Sequence, residues 1–178
     1  MTGNHRVLSR VMHPAVRTIL LVEDNDDDAF IFQRAYRNAG FPHQVRVARD
    51  GDEASDYLFG QGGFADRVAH PVPYLVLLDL KLPFRPGLEL LRMVRGETAL
   101  ANLCVVVLTS SAESRDVLRA RELGAQAFLV KPPSTKVLEE TIAAVDAWMD
   151  NRAAGFPRIE GDQFAIDAPP AREFSRLG

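Results

Sequence analysis

Four short apolar runs in this chain each stop at a residue with reactive or charged chemistry, and that repeated stop limits the fold to a narrow class. Thr18-Ile19-Leu20-Leu21-Val22 is followed by Glu23-Asp24, and Tyr74-Leu75-Val76-Leu77-Leu78 by Asp79. Val105-Val106-Val107-Leu108 is followed by Thr109, and Ala127-Phe128-Leu129-Val130 by Lys131. Uninterrupted apolar runs of this length read as strands buried on both faces. Val45 and Val47, alternating with polar residues, supply a further strand.

Helical patterns fill the intervals. The first runs from Asn25 to Asn38, with Ile31 and Ala35 expected to face inward, and Ala39-Gly40-Phe41-Pro42 stops it. The second covers about Asp52 to Phe59 on an apolar face of Ala54, Tyr57 and Leu58. A third begins at Gly87 and ends near Arg95. Ser110 and Glu113 form a capping box for a fourth, which runs to Leu123 and ends at Gly124. Ser134 caps the last, which reaches Asn151. The connection from Gly60 to Pro73 is long for a helix-to-strand link and reads first as a solvated loop, second as a partner-facing excursion.

Five strand–helix units in succession imply a parallel sheet covered on both faces by right-handed crossovers. The expected fold is a flavodoxin-like, doubly wound α/β sheet in the order 2-1-3-4-5, with its crevice between strands 1 and 3. Glu23 and Asp24 arrive at that crevice from strand 1, and Asp79 from strand 3.

A chain of 178 residues accommodates one well-cored domain with tails. A net charge of -3 argues against a broad nucleic-acid surface. Cys104 is the single cysteine, so an intramolecular disulfide is impossible and a buried thiol is expected. No signal-peptide block or membrane-length apolar stretch is present, and a cytoplasmic protein without a membrane partner is expected. Lysine is confined to Lys81, Lys131 and Lys136 while arginine is plentiful, which makes a lysine at a strand end less incidental.

The strand-end residues form a chemically matched set. Magnesium favours oxygen ligands and retains several waters. Asp24 and Asp79 offer carboxylates, Glu23 can ligate directly or through water, and the Lys81 backbone carbonyl lies just beyond the strand. Asp79 then acts as nucleophile toward a phosphoryl group, with Lys131 and Thr109 on the phosphoryl oxygens. Singly, each residue has a plainer reading: helix-starting acids, a turn aspartate before Pro83, a strand-end threonine, a solvated lysine. Two other motifs fail. A calcium loop starting at Asp24 requires Gly and Glu where Ala29 and Ala35 stand. An aspartyl phosphatase of the haloacid dehalogenase type requires a second Asp where Lys81 stands.

The stretches Ile19 to Asn25, Leu77 to Pro83 with Gly87, Val107 to Ser110, and Gly124-Ala125 through Lys131-Pro132 resemble a response-regulator receiver domain over about Thr18 to Met149. The resemblance implies phosphate acceptance on Asp79 from a sensor histidine kinase, magnesium held by Glu23, Asp24 and Asp79, a switch hydroxyl on Thr109, and a phosphate-binding Lys131 preceding a cis peptide to Pro132. Phe128 stands where many members carry a switch tyrosine, so the switch aromatic has no hydroxyl and is expected to swing inward behind Thr109. The loop before strand 3 and Val-Val-Leu-Thr-Ser-Ser look most like regulators paired with bacterial phytochromes.

The expected organisation is an arm over 1–16, a receiver domain over 17–151 and a tail over 152–178 with no separate output domain, hence no DNA-binding function and no classical enzyme. On the last helix, Leu138, Ile142, Val145 and Met149 form one stripe, and Val137, Thr141, Ala144 and Trp148 a second. If the second is exposed it forms the surface of a homodimer through that helix and its neighbours; the alternative is a broadly buried helix covered by the C-terminal tail. The competing function class is a phosphate-independent adaptor on the same fold.

Overall fold

The computed structural model describes residues 16–110 and 115–151. Five strands, β1 (Thr18–Val22), β2 (Gln44–Ala48), β3 (Leu75–Asp79), β4 (Cys104–Thr109) and β5 (Ala127–Val130), alternate with α1 (Asp26–Asn38), α2 (Gly51–Phe59), α3 (Gly87–Gly96), α4 (Arg115–Glu122) and α5 (Thr135–Asp150). The sheet is parallel in the order β2-β1-β3-β4-β5. Val22 lies beside Leu78, Asp79 beside Leu108, and Thr109 beside Val130, so four strands end at one edge.

The twofold alternation of strand side chains divides the interior into two cores. Leu20, Val22, Val76, Leu78, Val105, Val107 and Phe128 pack with residues of α2, α3 and α4. Ile19, Leu21, Leu75, Leu77, Cys104, Val106, Leu108, Ala127 and Leu129 pack with α1 and α5. Cys104 is a buried thiol, as expected from its apolar setting.

Local chemistry sets the helix starts. The Asn25 side chain accepts the N–H groups of Asp27 and Asp28, Asp50 accepts those of Asp52 and Glu53, and Ser134 accepts that of Val137. Gly51 is required at the α2 start because a Cβ there would collide with the Arg85 carbonyl. Gly124, at φ +90°, follows α4. Glu113, the partner in the anticipated capping box, lies outside the described residues.

Three expectations change. Ile31 does not face inward: it is 46% exposed, and Ala29, Phe32 and Tyr36 form the buried face. The triplet Phe30-Ile31-Phe32 is apolar throughout, so periodicity alone could not choose among its members. Secondly, the loop after α2 is mostly exposed, as a solvated connection should be, but it is also internally structured. It contains a 3-10 turn at Gly62–Phe64, and the Arg67 guanidinium donates to the carbonyls of Tyr57, Leu58 and His70. Thirdly, the second α5 stripe is covered. Thr141 and Ala144 are buried, while Val137 and Trp148 pack against the core on the α1–α5 side. The homodimer expected through α5 thereby loses the open stripe on which it was argued. The expected arm and tail lie outside the described residues apart from Val16.

At the end of the sheet opposite the acids, His43 Nδ1 accepts the Arg17 N–H at 3.3 Å, and its ring packs 5.0 Å from that of Tyr74. The Arg17 guanidinium lies over Tyr74 and reaches Asp146 of α5 at 3.3 Å. Burial lowers the His43 pKa, with Asp146 opposing and Arg17 reinforcing the effect. A lowered folded-state pKa means that the unfolded chain binds the proton more readily. The contribution is complete above the unfolded value of about 6.5 and is lost as pH falls through the folded value. The melting temperature is expected to drop on acidification from about pH 7 to 5, with a shallower slope in His43→Asn. Equal slopes in a calorimetric pH series would refute the assignment.

Candidate functional site: an acidic cluster at the strand ends

Glu23, Asp79 and Lys131 share one parity. Each lies two residues beyond a strand residue of the α1–α5 core, namely Leu21, Leu77 and Leu129. Their side chains therefore meet on that side of the sheet edge. Lys131 Nζ lies 2.6 Å from Asp79 Oδ2, 2.8 Å from Glu23 Oε2 and 3.0 Å from Asp28 Oδ2. Asp79 Oδ1 accepts the Lys81 N–H at 2.8 Å, and Glu23 Oε1 accepts the Asn25 N–H at 3.2 Å. Glu23 and Asp79 are buried, whereas Asp24 is exposed.

Gly87 permits this arrangement. A Cβ at that position would strike the Asp79 carbonyl, so glycine lets α3 begin against the end of β3. Lys131 is drawn in partly by its backbone: its N–H donates to the Thr109 carbonyl at 2.8 Å. The Lys131–Pro132 peptide is cis, as the resemblance implies.

Electrostatics explain the ammonium at the centre. Burial raises the Glu23 pKa, opposed by Lys131, while the Asp79 charge adds to the rise. For Lys131, burial disfavours the charge. Hydrogen bonds to Asp79, Glu23 and Asp28 overcome that cost and hold the pKa above the ordinary lysine range.

Carboxylate oxygens of Glu23, Asp24 and Asp79 lie within 4.8 Å of one another. Three hard oxygen donors at this separation suit a magnesium- or manganese-type cation. Lys131 bridges two of them, Glu23 and Asp79, and so matches part of their negative charge. Thr109 is buried at the end of β4 and has the opposite parity, that of Val107. Phe128, beside Val107 in the sheet, is 1% exposed: it already occupies the interior toward which a swing was expected.

Sequence reasoning missed Asp28 as a partner of Lys131, having considered it only within the failed calcium loop. The available signal was its place in the first turn of α1, directly after the acids of β1.

The response regulator receiver domain model matches residues 19–143. The chain belongs to that family. Among the relatives of this receiver domain, Rcp1 of Synechocystis is 33% identical over 135 residues, covering 75% of this chain and 90% of its own. The probable methanogenesis regulatory protein FilR2 of Methanothrix harundinacea is 37% identical over 140 residues, covering 77% of this chain and 87% of its own. The solved bacteriophytochrome response regulator AtBRR is 47% identical with a TM-score of 0.63, covering 68% of this chain and 86% of that one. Rcp1 has also been solved in a Mn(2+)-bound form, at 30% identity and a TM-score of 0.61, covering 80% of this chain and 99% of that one.

Removing Lys131 should expose the repulsion it masks. Lys131→Met is expected to lower stability by roughly 3 kcal/mol without divalent cations, near the lower end for breaking a buried ion pair because Glu23, its pKa already raised by burial, can take up a proton. Magnesium should recover much of that loss. Urea unfolding with and without magnesium measures both, and an unchanged midpoint in metal-free buffer would contradict the account.

Proposed function

We propose that the chain is a response regulator that accepts a phosphoryl group on Asp79 from a sensor histidine kinase, in the manner of a phytochrome partner. The observation that carries this reading is the Lys131 ammonium on Asp79 within the Glu23–Asp24–Asp79 cluster. Similarity to the bacteriophytochrome regulator supports the choice of kinase class. The complete acid, hydroxyl and ammonium set favours this reading over the phosphate-independent adaptor.

Asp79 attacks the phosphorus of a phosphohistidine. An O–P bond forms, the P–N bond breaks, and the imidazole leaves with the electron pair. The Lys81 N–H orients the Asp79 carboxylate. Lys131 places its charge on the transferred oxygens, and Thr109 donates to one of them. Glu23, Asp24, Asp79 and the Lys81 carbonyl are the residues that would hold a divalent cation, which when bound neutralises the clustered charge. Movement of Thr109 toward the phosphoryl group shifts a two-state equilibrium. Phe128 supports that movement from its buried position instead of swinging. The protein is expected to work in the cytoplasm; among the described residues no helix is long and apolar enough to cross a membrane.

The docking surface for the kinase is assigned to α1. Phe30 is 57% and Ile31 46% exposed, and Ile31 lines the crevice that also contains Glu23, Asp28 and Lys131. An exposed apolar side chain at the crevice that holds Lys131, whose ammonium contacts Asp79, suits a helix that presents a histidine. Phe84, 82% exposed at φ 61° on the loop after Asp79, adds a further apolar projection.

Two outcomes test the reading. Asp79→Asn should abolish acid-labile phosphoryl incorporation while circular dichroism remains unchanged; persistent incorporation would move the site elsewhere. Ile31→Glu should slow transfer from a phosphorylated kinase about tenfold or more, as expected for an interface anchor worth over 1 kcal/mol. Uptake from acetyl phosphate should be preserved, and equal loss with both donors would exclude a docking role.

A further inference from the structure

An ammonium has three N–H donors, and three carboxylates surround that of Lys131: Glu23 at 2.8 Å, Asp28 at 3.0 Å and Asp79 at 2.6 Å. Two of these, Glu23 and Asp79, belong to the cluster suited to a divalent cation, whereas Asp28 does not. A cation taking the first two would compete for the oxygens that hold the lysine and would repel its charge. Asp28 is then the partner left to it.

We propose that Asp28 is a positioning residue for Lys131, retaining the ammonium at the mouth of the site when a cation takes the carboxylates of Glu23 and Asp79. The inference rests on the phosphoacceptor reading above. Lys131 has a side chain only 12% exposed, and burial already works against its charge. Beside a divalent cation and without an anionic partner, it would turn outward to water. Asp28 prevents that by matching charge with charge.

Its placement is built into α1. Asn25 Oδ1 accepts the Asp28 N–H at 3.0 Å, which fixes the first turn and its register. Asp26, on the same turn, is instead paired with Arg49 at 2.8 Å. The Asp28 side chain is 39% exposed, so it stands where the buried cluster opens to solvent and where a phosphoryl donor arrives. The crevice between α1 and the β5–α5 connection is lined by Asp28 and Lys131 together.

The test uses the full chain labelled with ¹⁵N-lysine. Lys81, Lys131 and Lys136 are its three lysines, and Lys131→Arg assigns the side-chain signal. In the unsubstituted protein the Lys131 Nζ signal should persist as magnesium saturates. In Asp28→Asn it should be present without magnesium, held by Glu23 and Asp79, and should broaden away as magnesium binds. Asp28→Glu should restore it. Phosphoryl uptake from acetyl phosphate should fall about two- to fivefold in Asp28→Asn, the range of a partly exposed ion pair. A signal that survives magnesium in Asp28→Asn overturns the proposal. So does a signal already lost without magnesium, which would make Asp28 a general packing partner. Asp79→Asn separates the two claims. If it takes up no phosphate while Asp28→Asn behaves as the unsubstituted protein, only the role of Asp28 falls. If Asp79→Asn still takes up phosphate, the phosphoacceptor reading falls first.

Discussion

The site depends on one partly enclosed ammonium held by carboxylates from different parts of the chain. Lys131 follows β5, Asp79 ends β3, Glu23 follows β1, and Asp28 stands on α1. β4 lies between β3 and β5, so the lysine reaches across a strand end to meet Asp79. The pairing is possible only because all these strands run in one direction and finish at one edge. Burying a charge is costly unless it is paired and hydrogen-bonded. Here the same contacts that satisfy the lysine also keep Glu23 and Asp79 from repelling one another, so the cluster is organised before any ligand arrives.

Strand parity then determines how such a site can communicate. Glu23, Asp79 and Lys131 continue the residues that face α1 and α5, while Thr109 continues those facing α2, α3 and α4. A hydroxyl drawn toward a group on Asp79 would be drawn across the sheet edge, away from the core containing Phe128, Val117 and Ala120. Close-packed interiors respond to such displacements by discrete rearrangement more readily than by continuous deformation. Phe128 is already buried in this conformation, packed in the core that contains Val117 and Ala120 of α4.

Which parts of this were legible in the sequence follows from the range of the forces involved. β3 could be read because Leu75 to Leu78 are all apolar and Asp79 is not; burial on both faces leaves a mark at every position. The cap at Ser134 is local and was equally readable, whereas Asn25, taken as the first residue of its helix, is the cap of α1. Asp28 was not, because its partner is 103 positions away, from residue 28 to residue 131, and a helical aspartate is unremarkable on its face. Arg67 was missed for a related reason: its targets are backbone carbonyls, which every residue possesses. Ile31 was placed on the wrong face because Phe30 and Phe32 compete with it, and only packing against β1 and β3 decides which ring enters the core. The second α5 stripe looked spare for the opposite reason. A helix seated broadly on the sheet covers more than one stripe, and Thr141 can be buried because its hydroxyl donates to the Val137 carbonyl.

The residue that escaped notice and the residue that was misplaced lie one helical turn apart. Asp28 and Ile31 are separated by three positions on α1, which makes them neighbours on its surface, and both line the crevice beside Lys131. Under the assignments proposed above, a partner helix seated on Ile31 would displace water from the Asp28 carboxylate. A less hydrated carboxylate interacts more strongly with a nearby ammonium, because the local dielectric falls. Docking and positioning would then be one event: the contact that brings the phosphohistidine to Asp79 also tightens the hold on the lysine that must meet it. That coupling gives a physical reason for α1 to expose an apolar side chain at Ile31, where the neighbouring Asp28 and Lys131 can respond to it.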